Sequence, residues 1–490
     1  MFMIRPLSFS IKTALFFCFV LLAACSTFTE LRQDLADKVF GREPPNPPAE
    51  LQDIKPSYNA KIDWSSNAGK TEKYDYTPAT DSGAVYSANA AGELSKVDSA
   101  DGHQIWRINV GEPVSGGVGL GAGIVLVGSN RGNVFAYDFA GKLLWKAKVS
   151  SEILSVPRYF DGTVIARTGD NHIFGLDATD GSRKWVYERI NPALTLRSSV
   201  GVVVDSGAVY AGFAGGKLVA IRADNGKLLW EATIAQPKGV TEIERIADIT
   251  SLPVVAGPLV YAVAYQGKIA AVDRRSGKVV WNRDISSFSG LNAEDGKLFV
   301  SHTLGAVYSL DYETGKTFWR QGALSNRRLT APLPMGNLIA VGDLEGYVHF
   351  LTREEGKFVA RIKLDSNAVM SLIAGKSSAQ LIAATRDGGL YAISVAENNS
   401  QPAAEEKSSE KAIQKPIEKP AESTPSAPPQ PTSEPATEPN EQPSAEPSTE
   451  RSILFQKNDS LMSPDAEQKP SSDTKPTNNN APGIRLPSSE

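Results

Sequence analysis

The sequence predicts an all-β chain folded as an eight-bladed β-propeller of four-stranded antiparallel blades, and three observations carry that prediction. A pattern that opens on Gly and closes on Trp recurs through the middle of the chain. Each copy reads as two short strands around a tight turn, and one copy is split between the two ends of the repeated region. A period of about 40 residues marks units that cannot bury their apolar faces alone and must stack on their neighbours.

The copies run from Gly92 to Trp106, Gly132 to Trp145, Asn171 to Trp185, Gly216 to Trp230, Gly267 to Trp281 and Gly305 to Trp319. A seventh, from Gly346, has Ala360 where the Trp is due, although Gly356-Lys357 still marks its turn. An eighth starts at Gly389 and breaks off before any Trp; its missing Trp lies at the other end of the repeat, at Trp64. The seven tryptophans are thereby all assigned, and their equivalent positions read as blade packing rather than ligand stacking.

Within a copy, runs such as Val134-Phe135-Ala136-Tyr137 and Ile269-Ala270-Ala271-Val272 are short, apolar, partly β-branched and free of Pro, which reads as strand. The following turn, as in Arg274-Arg275-Ser276-Gly277-Lys278, offers Gly for a positive φ, and the preceding Asp can accept local N–H groups. A strand before each copy, for example Ile124 to Val127, Ala208 to Ala211 or Leu298 to Val300, extends the meander. Segments such as Leu154 to Pro157 and Leu252 to Val255 supply the fourth strand. Closure follows from the split copy: Ile62-Asp63-Trp64 is expected to pair with Gly389 to Ile393, leaving no open edge in the ring.

The propeller occupies 58–396, and its flanks are of other kinds. Arg5 and Lys12 precede the apolar run Ala14 to Leu22, which is short for a membrane-spanning helix and suits a signal peptide over 1–24. Residues 25–57 read as a tether. Phe28, Leu31, Leu35 and Val39 recur at helical spacing, and Pro44, Pro45, Pro47 and Pro48 stiffen a spacer expected to hold the propeller off its anchor. Residues 397–490 form a Pro/Glu/Ser-rich tail with sixteen of the 31 prolines and too few apolar residues for a core, so disorder is the expectation. Ile453-Leu454-Phe455 and Leu461-Met462 interrupt that tail as small apolar clusters.

Composition narrows the function. Residues 401–490 carry −6 against a net −4 for the whole chain, so the remainder carries +2, and a nucleic-acid surface would need a clustered basic excess. Cys18 and Cys25 are the two cysteines, so nothing downstream forms a disulfide or a thiolate metal site. His103, His172, His302 and His349 fall in different repeats without paired spacing, and no metal site is expected from them. The run Ser115 to Gly123 is Gly-rich like a phosphate loop, but a strand follows it instead of a helix, so its glycines read as blade-edge turns.

Two insertions break the period. One, between Trp185 and Trp230, contains Leu194-Thr195-Leu196-Arg197; the other, between Trp230 and Trp281, contains Thr241-Glu242-Ile243-Glu244-Arg245-Ile246-Ala247-Asp248-Ile249-Thr250. Binding residues concentrate on loops that a rigid scaffold positions. On the residues alone, Leu194, Leu196 and Arg197 fit an interface hot spot as well as they fit core leucines beside a solvated Arg.

Leu22-Ala23-Ala24-Cys25 resembles the bacterial lipobox, in which the Cys becomes the lipidated first residue; ordinary cleavage beside an incidental Cys is the alternative. Ser26, where an Asp would favour inner-membrane retention, fits outer-membrane sorting by the same resemblance. Lipobox, eight Trp-motif blades with an N-terminal closing strand, and the two insertions together resemble the BamB family, lipoproteins of the outer-membrane β-barrel assembly machinery, over residues 12 to about 396. The resemblance implies a scaffold without catalytic residues, metal or other cofactor, held by lipidated Cys25 at the periplasmic face of the outer membrane. Its implied partners are the POTRA domains of BamA, the other Bam lipoproteins and unfolded outer-membrane proteins, the last through β-augmentation at blade edges. The family's BamA-binding surface maps onto Leu194, Leu196, Arg197 and Asp248, while its second acid falls on Thr250, a departure. Two other functions are the alternatives: a quinoprotein dehydrogenase, a family that also has eight Trp-motif blades around pyrroloquinoline quinone, and an envelope-binding lipoprotein acting through its tail.

Overall fold

A computed structural model describes residues 46–398, apart from 72–73, 75, 82, 191–193, 197–198 and 242. The signal peptide, Cys25, the helical spacing at Phe28 to Val39, Arg197 and the tail from 399 onward lie outside the described residues. The described strands form eight four-stranded antiparallel sheets, each a simple meander in chain order except the one that closes the ring.

The second strand of a blade explains why the sequence reads as unbroken apolar runs. Ala84–Ala88, Ile124–Gly128, Ala208–Phe213 and Leu259–Val263 are buried at every position, because both faces meet neighbouring blades. Fourth strands such as Leu143–Lys148 and Leu228–Thr233 alternate instead, with one side at the rim. Apolar side chains therefore pack in a series of clusters between successive blades around the ring.

One device repeats at seven of the eight junctions. The register of third and fourth strands slips by one residue just before the Trp, as between Ala136 and Tyr137, which pair with Trp145 and Leu143. Such a bulge re-aims the following side chain, and here it turns the Trp onto the next blade. Its Nε1–H donates to a carbonyl there: Trp64 to Ser99, Trp106 to Phe139, Trp145 to Ala178, Trp185 to Ala223, Trp230 to Arg274, Trp281 to Tyr312 and Trp319 to Arg353, at 2.8–3.1 Å. The ring lies on the turn glycine of that next blade. Gly277 has φ 73°, and a Cβ there would sit 2.8 Å from Trp230, so Gly is required twice over. Asp273 Oδ1 accepts the Ser276 N–H at 2.8 Å, which is the turn chemistry the sequence implied.

Ring closure follows the expected pairing. Tyr58–Asn67 runs antiparallel to Gly389–Glu397, with Trp64 opposite Ala392 and Ile62 opposite Ile393. Asp63, the bulged residue, accepts from Gln380 at 2.7 Å and from Ser394 at 2.8 Å, tying the closing strand to two others. The seventh repeat has Ala360 for a physical reason. In the eighth blade the third strand runs straight on through Glu397, so no Asp-to-Gly turn awaits a Trp. Ala360 belongs to the apolar cluster that holds Val395 and Tyr58, where the two ends of the ring meet.

Three expectations need correction. Leu154 to Pro157 is not strand; the first strand of its blade is Arg158–Phe160, and in the next such segment only Val254 and Val255 are paired. Both first strands, Arg158–Phe160 and Val254–Ala256, are only three residues long, so pairing begins late. The glycines of Ser115 to Gly123 are not all turns: Gly119–Gly121 is a first strand, and Gly123 alone of the five has a positive φ. A Cβ on Gly119 would lie 2.0 Å from the Pro157 carbonyl oxygen and one on Gly116 2.5 Å from that of Ser155, so these two are glycine because the next blade's backbone presses on them.

The spacer is the third. From residue 46 the chain lies along the sixth and seventh blades. Ala49 N–H donates to Ser325 O at 2.9 Å, and Ser57 N–H to Val359 O at 3.1 Å. Arg327 and Arg361 donate to the carbonyls of Ala49 and Gln52 at 2.8 and 3.0 Å. Leu51 packs in the cluster of Leu324 and Leu329.

Candidate functional site

Strand direction puts both insertions on one face. In an up-and-down meander the connection from a fourth strand to the next blade emerges at the same end as the turn between second and third strands. The first insertion leaves after Arg183–Tyr187 and enters Val202–Asp205; the second leaves after Leu228–Thr233 and enters Val254–Ala256. Both therefore sit beside the turn Ala214–Gly216.

The second insertion contains a local helical turn closed by a capping box. Thr241 Oγ1 accepts the Glu244 N–H at 3.2 Å, and Glu244 Oε2 accepts the N–H groups of Val240 and Thr241 at 2.8 and 3.1 Å. Those backbone donors hold the Glu244 carboxyl below its ordinary pKa. The box stiffens a loop whose apolar side chains point outward: Val240 is 97% exposed and Ile243 68%. In the first insertion Ile190 is 96% and Leu194 46% exposed, while Leu196 is half-buried.

Beneath the loops lies a cavity of about 280 Å³, lined among others by Arg167, Asn171, Leu196, Asp248 and Thr250. Arg167 is buried and stacks over Phe213 at 4.6 Å; its guanidinium donates to Gly212 O at 2.7 Å and to Asn171 Oδ1 at 2.6 Å. Burial pushes its pKa down to about 10, so it remains a cation at neutral pH and cross-links the third and fourth blades. Asp248 is buried too: Oδ2 accepts the Leu196 N–H at 2.8 Å and Oδ1 accepts the Gly215 N–H at 2.9 Å. The structure thus joins Leu196 to Asp248, places Leu194 two residues away in partial exposure, and leaves Arg197 outside the described residues. Thr250, at the position of the family's second acid, lines the same cavity.

Sequence reasoning missed Ile190, Val240 and Ile243. Thr241-Glu242-Ile243-Glu244 fits the capping-box pattern and could have flagged a rigid, outward-facing turn there. A cluster of Asp98, Asp101 and His103 also has its ligand atoms within 4.8 Å of one another. These groups already bond within their own turn: Asp98 accepts from Ala100 N–H, and Asp101 from both the backbone and the ring of His103.

Comparison with known proteins decides the family. The family model described as outer membrane protein assembly factor BamB matches residues 90–321 and 303–411. The chain belongs to the BamB family. It is 38% identical over 347 residues to the BamB of Burkholderia pseudomallei, an alignment covering 70% of this chain and 90% of that one. It is 31% identical to the BamB of Salmonella typhimurium, over 76% of this chain and 96% of the relative. The crystal structure of BamB from Moraxella catarrhalis superposes with a TM-score of 0.63 at 26% identity, covering 69% of this chain and all of the other. A quinohemoprotein alcohol dehydrogenase from Comamonas testosteroni aligns with a TM-score of 0.56 at 15% identity, a likeness of fold alone. The BamB relationship spans the propeller and both insertions, so the face described above lies within it.

Proposed function

We propose that this chain is a non-enzymatic scaffold subunit of the machinery that assembles β-barrel proteins in the outer membrane, and that the insertion face binds the POTRA domains of BamA. The supporting observation is the placing of Ile190, Leu194, Val240 and Ile243 in solvent on two loops, one stiffened by its capping box, in a member of the BamB family. Apolar side chains held outward on ordered loops favour a protein partner, whose surface removes them from water. Lipidation of Cys25 would tether the propeller to the periplasmic face of the membrane, with the other Bam lipoproteins as neighbours.

The test is co-purification of BamA with the full-length lipoprotein. Replacing Leu194, Leu196 and Arg197 together by Ala is expected to abolish it while the melting transition is retained. Undiminished co-purification would overturn the assignment of this face.

A further inference from the structure

The geometry around Asp248 separates the residues that could touch a partner from one that cannot. Its side chain is 5% exposed, and both carboxylate oxygens are turned inward onto backbone donors. Oδ2 receives the N–H of Leu196 in the first insertion, and Oδ1 the N–H of Gly215 in the turn of the fourth blade. The Asp248 carbonyl accepts the N–H of Tyr265 in the corresponding turn of the fifth blade. One residue of the second insertion therefore pins the first insertion to two blades. Leu194, two residues before the pinned amide, is 46% exposed.

We propose that Asp248 is a positioning residue: its carboxylate holds Leu194 to Leu196 in the conformation that docks, and it does not itself contact the partner. The proposal rests on the reading of this face as the BamA-binding surface and goes beyond it in assigning Asp248 a different role from Leu194. A carboxylate suits the task because it is acceptor-only, with an oxygen for each N–H. An Asn in its place offers one carbonyl oxygen and sets an NH₂ against the second donor.

The two roles leave different kinetic marks. If the loop is merely unpinned, the docking-competent fraction falls and the apparent affinity falls with it. The loss then appears in association, whereas a lost contact appears chiefly in dissociation.

Binding of immobilised full-length protein to the BamA POTRA domains is measured for wild type, Asp248→Asn, Asp248→Ser and Leu194→Ala. Amide exchange at residues 194–196 is followed in the free protein, and melting confirms that each ring is folded. Both Asp248 variants are expected to speed Leu196 amide exchange and to slow association on the order of tenfold, with dissociation near wild type. Leu194→Ala is expected to speed dissociation and leave exchange unchanged. Wild-type exchange in both Asp248 variants, or weaker binding expressed as faster dissociation, would overturn the positioning role. Wild-type binding by Leu194→Ala would instead count against the docking face, a separate failure, because the exchange measurement needs no partner.

Discussion

Arg327→Met is the most informative test of how the N-terminal segment is held. The Arg327 side chain is 2% exposed, and its guanidinium meets Asp343 Oδ2 at 2.7 Å, Glu345 Oε2 at 2.5 Å and the Ala49 carbonyl at 2.8 Å. Asp343 has no exposed side-chain surface, so the substitution leaves a buried carboxylate without its cation, a loss of about 3–5 kcal/mol. Asp343 keeps hydrogen bonds from His349 Nε2 and from the N–H groups of Glu345 and Tyr347, which favours the lower end. About 3 kcal/mol corresponds to a fall in Tm on the order of 5 °C for a domain of this size. The effect should come with a local sign, faster proteolysis or amide exchange near Ala49.

His349 adds a pH arm to the same test. It is fully buried; Arg361 Nε donates to Nδ1 at 3.1 Å, so Nε2 carries the proton that Asp343 accepts and the ring is neutral. Burial pushes its pKa below 6.5, and Arg361 and Arg327 add to that against the opposing pull of Asp343; Glu345, Tyr347 and Phe358 complete the surroundings. The unfolded chain then binds the extra proton first, so stability is lost as pH falls from about 6.5 toward the lowered folded value. Replacing His349 by Gln is expected to flatten that slope in pH-dependent denaturant melts. A change under 1 kcal/mol in Arg327→Met with unaltered exchange at Ala49, or an unchanged pH slope in His349→Gln, would refute the reasoning.

Two further predictions test the ring. Restoring the repeat with Ala360→Trp is expected to destabilise by about 1–3 kcal/mol, because the site lies in the apolar cluster that holds Val395 and Tyr58 and has no turn glycine to receive the ring; chemical denaturation measures it. Trp185→Phe should cost more than Trp281→Phe in paired melts, since the Tyr312 carbonyl left by Trp281 still receives the Tyr261 hydroxyl at 2.9 Å.

What could be read in the sequence divides along a physical line. The Trp, the turn Gly and the closing strand are dictated by contacts that recur from junction to junction, so the repetition of Trp106, Trp145 and Trp185 exposed them together. Single contacts have no such echo. Nothing in Pro157 or Gly119 announces that one presses on the other, and nothing in residues 46–57 announces Arg327 and Arg361, which lie about 300 residues away in sequence. The same limit governs the site. The proposed location comes from the insertions that interrupt the period, but the roles proposed within it depend on which way each side chain faces. Leu194 and Asp248 both belonged to the expected surface; one is half in solvent and the other turned wholly onto backbone. The Asp248 bond to Leu196 also gives a reason for two insertions in consecutive blades. A lone loop of the first kind would have to bear the ordering cost of docking by itself, and the second supplies the carboxylate that orders it beforehand.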